Sequence, residues 1–255
     1  MTDAPDRLTG RAYLDLVLAT VSRVGEGQAA AVSEAARLVA DAIGAGGVLQ
    51  AFGSGHSEAL AMELAGRAGG FVPSNRIALR DLVLQAGLPR ETLEDPFLER
   101  NPDVARRLLD TAPVEPADVF AIASNSGING VVVELALLVK ERGHPLIAFT
   151  SAEHSAGTPS RHPSGRRLAD IADVVLDNGA PYGDAALPVP GGGAVGAVSS
   201  VTAAVLAQMI VAEAVQHLVD AGQTPPIYLS ANIPGGDDHN TRLESRYAGR
   251  IRRTA

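Results

Sequence analysis

Three short stretches of this chain concentrate hydroxyl, amide and imidazole side chains, two of them around glycine. Gly53-Ser-Gly-His-Ser57 carries Ser54, His56 and Ser57, and Ser124-Asn-Ser-Gly-Ile-Asn129 carries Ser124, Asn125, Ser126, Gly127 and Asn129. Ser151-Ala-Glu-His-Ser155 adds Ser151 and His154. Hydroxyls together with exposed backbone N–H groups hold an anion without any lysine, and a helix expected to open at Ile128 adds the positive end of its dipole. Ser and Asn also cap helices wherever they occur, so one such turn alone reads as a cap. Three turns at one edge point instead to a shared pocket for an anion.

That edge is set by the elements around the turns. Short apolar runs at Gly47–Phe52, Phe71–Leu79, Asp118–Ala123, Pro145–Phe149 and Asp173–Leu176 predict five strands. Leu14, Val17, Val21 and Val24 recur at helical spacing, as do Val32, Ala36, Val39 and Ile43, so two amphipathic helices open the chain. Helices are also expected over Ser57–Arg67, from the cap pair Asn101-Pro102 through Leu109, over Ile128–Arg142, and along the apolar stretch Ala194–Val219. Pro89, Pro96 and Pro102 break the segment between the second strand and that cap into a long surface excursion. Strands alternating with helices make an α/β fold, a parallel sheet covered on both faces whose ligand crevice lies outside the strand carboxyl ends.

At 255 residues and 46% hydrophobic, the chain suits one domain over 1–255, with a core near 30–220, an N-terminal helix at 10–25 and a C-terminal tail at 225–255. The formal charge of −8 repels a nucleic-acid backbone, so no nucleic-acid partner is expected. The absence of cysteine excludes disulfides, thiolate catalysis and Cys-ligated zinc. The polar start Met1–Arg11 lacks the basic and apolar regions of a secretory signal, so the expected address is the cytoplasm. Ala194–Val219 is long enough to span a bilayer but carries Ser199, Ser200, Thr202, Gln208, Glu213, Gln216 and His217; it reads as a buried helix packed under other elements or against a second subunit, not as a membrane anchor.

Ser124-Asn-Ser-Gly-Ile-Asn129 resembles the Ser-x-Ser-Gly-x-Thr phosphate loop of the sugar isomerase (SIS) domain superfamily, and Gly53-Ser-Gly-His-Ser57 resembles its first sugar-binding loop. Ser160-Arg-His-Pro-Ser-Gly165, Pro181-Tyr-Gly-Asp184, Ser230-Ala-Asn and Gly235-Gly-Asp-Asp-His-Asn240 look like stretches of a bacterial family of SIS-domain phosphosugar-binding proteins. The resemblance implies a doubly wound, flavodoxin-like five-stranded parallel sheet with extra N-terminal helices and a C-terminal extension. It also implies a homodimer or homotetramer, no cofactor, and a phosphorylated sugar held by Ser57, Ser124, Ser126 and Ser151. Asn129 replaces the superfamily's frequent threonine; it still donates a hydrogen bond, with a different reach.

Sugar isomerases need a base to move a proton between adjacent carbons and a group that opens the ring. By analogy with the superfamily's glutamates Glu63 is the candidate base, although an ion pair with Arg67 one turn on is an equal use for it. His239 is the candidate for ring opening, because a late histidine of related isomerases enters the site from a neighbouring subunit. His56 and His154 can reach a sugar hydroxyl or stand solvated in their loops.

Other chemistries fit less well. Asp237, Asp238 and His239 with Glu63 or His56 offer metal-ligand types, but their spacing matches no standard motif, and no metal is expected. Gly53-Ser-Gly-His-Ser-Glu58 fails the dinucleotide fingerprint at its third glycine, where Glu58 stands. Gly55-His-Ser-Glu-Ala59 approaches a serine-hydrolase elbow, with Ser57, Asp177 and His239 in the right chain order, but no oxyanion segment precedes it. A non-catalytic phosphosugar sensor uses the same loops and is the stronger alternative to an enzyme.

Overall fold

The structure, a computed structural model, describes residues 8–252. The outermost parts of the expected domain and tail, and the first seven residues of the polar start, lie outside that range.

Two helices come first, α1 (Gly10–Gly27) and α2 (Ala29–Gly44). Thr9 caps α1 by accepting the Ala12 N–H at 3.1 Å. The sheet elements then alternate: β1 (Leu49–Gly53), α3 (Glu58–Leu64), β2 (Ser74–Ile77), α4 (Asp81–Leu84), α5 (Val104–Asp110), β3 (Val119–Ala123), α6 (Gly130–Glu141), β4 (Leu146–Thr150), α7 (Ala152–Ala156) and β5 (Val174–Asp177). All five strands are parallel, in the order β2-β1-β3-β4-β5. The chain is therefore an α/β protein with a doubly wound five-stranded sheet, as its sequence led us to expect.

Burial explains why these strands were readable. β1, β3 and β4 are buried along their whole length, so, apart from the buried Gln50 and Thr150, their sequences run apolar without alternation. Successive side chains still point to opposite faces. Leu49, Ala51, Val119 and Ala121 join Leu60 and Leu64 of α3 and the inner stripe of α2 on one face. Phe52, Phe120, Ile122 and Leu146 join α4, α5 and α6 on the other.

After β5 come a two-stranded antiparallel hairpin, β6 (Ala185–Pro188) and β7 (Ala194–Ala197), then the long helix α8 (Ser199–Asp220) and the short α9 (Gly236–Glu244). The expected helix over Ala194–Val219 is thus corrected at its start. Its first four residues form β7, where Gly196 has φ +79° and packs under the Tyr13 ring. By length and composition α8 is apolar enough to cross a membrane, but Leu206, Ala207, Ile210, Val211 and Ala214 face the α2–α3 layer, so one side of the helix is buried while Val201 and Val219 stay exposed. Two other boundaries shift. The second strand is only Ser74–Ile77, with Phe71 paired separately to Ile227 of the tail. The second loop's helix opens at Gly130, because Ile128 still belongs to the loop, where its carbonyl accepts the Arg161 N–H.

The tail lies along the sheet's amino end. Asp118, fully buried at the foot of β3, accepts from Val48 N, Gln50 Nε2, Glu115 N and, at 2.6 Å, from the Arg250 guanidinium. Asn75 of β2 holds the Arg250 carbonyl and the Arg252 N–H.

Candidate active site

β1 and β3 are neighbours, yet α3 leaves β1 toward one face while α6 leaves β3 toward the other. Such a switch point opens a crevice at the carboxyl ends of the two strands. Here it is a notch of about 20 Å³, lined among others by His56, Ser57, Ser124, Asn125, Asn178 and Ser200. That volume admits a group of one or two water-sized atoms, such as the tip of a phosphoryl group. Anything attached to that tip extends outward.

The first loop owes its shape to Gly53, where a Cβ would collide with the Ser57 carbonyl. The turn folds back on the strand end and brings Ser57 to the notch; its hydroxyl, like those of Ser200 and Ser126, makes no hydrogen bond among the described residues. Ser126 stands just outside the lining. His56 is exposed, with its imidazole equally unpartnered. The second loop is held by its own serine: Ser124 Oγ accepts the Gly127 N–H at 3.1 Å, and Gly127 takes φ +66°.

The opposite wall is the first turn of α8, whose free N–H groups and dipole favour an anion. Asp184 already engages part of that end, accepting from Val198 N, Ser199 N and Ser199 Oγ. Asn178 and Asn125 join the loops in a chain with a fixed direction. The Ala180 N–H donates to Asn178 Oδ1, so Asn178 Nδ2 donates to Asn125 Oδ1 at 3.0 Å, and Asn125 Nδ2 meets His154 Nδ1 at 3.2 Å. His154 stands behind the notch against the Tyr182 ring.

Several sequence candidates serve other ends. Ser151 is fully buried, donating to the Ala180 carbonyl and accepting the His154 N–H, so it caps α7 and braces the loop after β5 instead of facing a ligand. Ser54 donates to Glu99, and the Asn129 amide is spent on Glu99 and Arg161. His239 lies in the first turns of α9, its Nε2 3.0 Å from the Ile227 carbonyl and outside the notch. It contacts neither Ser57 nor Asp177, whose carboxylate accepts two backbone N–H groups, so no hydrolase triad is assembled. Among the described residues no three His, Asp or Glu side chains gather as a metal site requires.

Glu63 has its ion pair with Arg67 and also accepts from Gln208 of α8 at 2.7 Å. It lies one turn beyond Ala59, a lining residue, on the same face of α3, about 6 Å further along the helix.

Glu99 escaped the sequence reading. Its carboxylate ties the first loop to the second, accepting from Ser54 at 3.2 Å and from Asn129 at 2.9 Å. It sits in the proline-broken excursion, far in sequence from both partners, and only the approach of Arg100 to Gly130, which has no room for a Cβ, brings it there. Asn178 was missed for the same reason, and Asp184 was visible only as the end of the Pro181–Asp184 stretch, with no role attached.

The sequence and the fold match known proteins. Residues 12–151 match the SIS domain model, which makes this an SIS-domain protein. A UPF0309 protein of Listeria monocytogenes is 40% identical over 243 residues, 95% of this chain and 98% of the relative. One from Geobacillus kaustophilus is 41% identical over 221 residues, 86% of each. The chain belongs to the UPF0309 family. In fold it resembles the phosphoheptose isomerases of Neisseria gonorrhoeae (16% identity, TM-score 0.52, 80% of this chain and 95% of the other) and Francisella tularensis (12%, 0.52, 82% and 100%).

Proposed function

We propose that this protein binds a phosphorylated sugar or amino sugar and interconverts its aldose and ketose forms, or carries out a related elimination, by moving a proton next to the carbonyl. The observation that carries the reading is the meeting of unpartnered Ser57 and Ser200 hydroxyls with the start of a 22-residue helix in one small notch. The phosphoryl tip enters there, and the carbon chain extends outward over the start of α3, which carries Glu63 one turn beyond Ala59.

In this reading Glu63 is the base, oriented by Gln208 and Arg67, and His56 is the acid–base group for ring opening. Glu99 fixes the spacing of the two loops. Homodimer or homotetramer formation is supported by exposed Leu14 and Leu18 on α1 and Val201 on α8, apolar side chains that a second copy would cover.

The test incubates the protein with a panel of aldose and ketose phosphates in deuterated water and follows exchange beside the carbonyl by NMR. Exchange in the wild type, abolished in Glu63→Gln with binding retained, is the expected result. Tight binding with no exchange for any member would leave a non-catalytic sensor, and no binding at all would remove the phosphosugar.

A further inference from the structure

A second cavity, of about 410 Å³, lies at the opposite end of α3, within the size range of small-molecule sites. Its walls are the end of α3 and the turn after it (Met62, Ala65–Ala68), the start of β2, and the tail segment Tyr228–Ala231 with Asn240 and Arg252. The two cavities share α3 but no lining residue: Ala59 and Leu60 line the serine notch, and Met62 and Ala65 line this cavity.

Its lining is unusual for a chain of net charge −8. Among the described residues, three arginines, Arg67, Arg76 and Arg252, contribute to it and no Asp or Glu does. The compensating carboxylates stand outside the lining: Glu63 with Arg67, Glu58 at 3.8 Å from Arg76, and Asp81 at 3.9 Å from Arg252. The last separation is beyond hydrogen-bond reach, and the Arg252 guanidinium donates to no acceptor among the described residues. Ser230 accepts the Asn232 N–H, which leaves its own hydroxyl proton to give.

The far wall is built, not draped. Asn240 clamps Leu229 through both its N–H and its carbonyl, at 2.9 Å each. Tyr228 exchanges backbone hydrogen bonds with Gly69 and Gly70, and a Cβ on Gly236 would strike the Ser230 carbonyl. All of this wall lies beyond residue 151, where the match to the SIS domain model ends.

We infer that this cavity is a second binding site, for a small organic molecule carrying a carboxylate or phosphate group, with Arg252, Arg67 and Ser230 as its donors. The planar guanidinium fork fits either oxyanion in bidentate fashion.

Calorimetric titration of the full chain with citrate and, separately, with pyrophosphate tests this and tells the two oxyanions apart. One probe is expected to bind, and to lose at least about tenfold in affinity in Arg252→Met and in Arg67→Met, as a lost charge-assisted bond requires. Ser57→Ala with Ser126→Ala, which alters only the serine notch, is expected to leave that affinity unchanged. Because the Arg252 guanidinium holds no hydrogen bond among the described residues and stands 3.9 Å from Asp81, Arg252→Met is expected to keep the wild-type melting temperature. Failure of both probes to bind at millimolar concentration overturns the site, and so does binding that falls with the two serines but not with Arg252.

Discussion

Ser57 and Ser124 line the same notch but use their hydroxyls differently. Ser124 Oγ is the internal acceptor that shapes its turn, whereas Ser57 Oγ is uncommitted. Ser57→Ala is therefore expected to weaken binding of a sugar phosphate by about 1.5–3 kcal/mol, roughly ten- to hundredfold, with the melting temperature unchanged. Ser124→Ala should lower both, because the Gly127 N–H loses its partner; titration calorimetry and thermal unfolding separate the two cases. The sequence made the serines visible, since turn residues after apolar runs announce themselves. It did not reveal which way each hydroxyl points, so Ser151 read as a ligand group when its oxygen is turned into the fold. Glu99 had no legible signal, being one acidic residue among many in an irregular segment.

At the level of elements, legibility followed burial. β3 and β4, buried on both sides, show as apolar runs, whereas the mostly polar β2 (Ser74–Ile77) was legible only within the longer stretch Phe71–Leu79; all five strands were identified, with ends displaced by a residue or more. The β6–β7 hairpin was hidden because Ala194–Ala197 merges with the apolar residues of α8, and only the glycines at 191–193 and 196 separate the two periodicities. α8 links core and site: its first turn walls the notch while Leu206, two turns along, is fully buried against the α2–α3 layer. Leu206→Ala is expected to cost about 2–5 kcal/mol in urea unfolding.

Over the whole molecule, the tail and the sheet meet at Asp118. Removing the guanidinium in Arg250→Ala leaves a fully buried carboxylate with only neutral donors, an expected loss of about 3–5 kcal/mol measured by denaturant unfolding. The same pair decides how the protein comes apart. Peeling the tail away would strand that carboxylate inside the β-sheet's base, so the segment cannot fray in advance of the rest, and both melt in a single cooperative step. Limited proteolysis should accordingly yield intact chain and small peptides, with no trimmed core persisting between them.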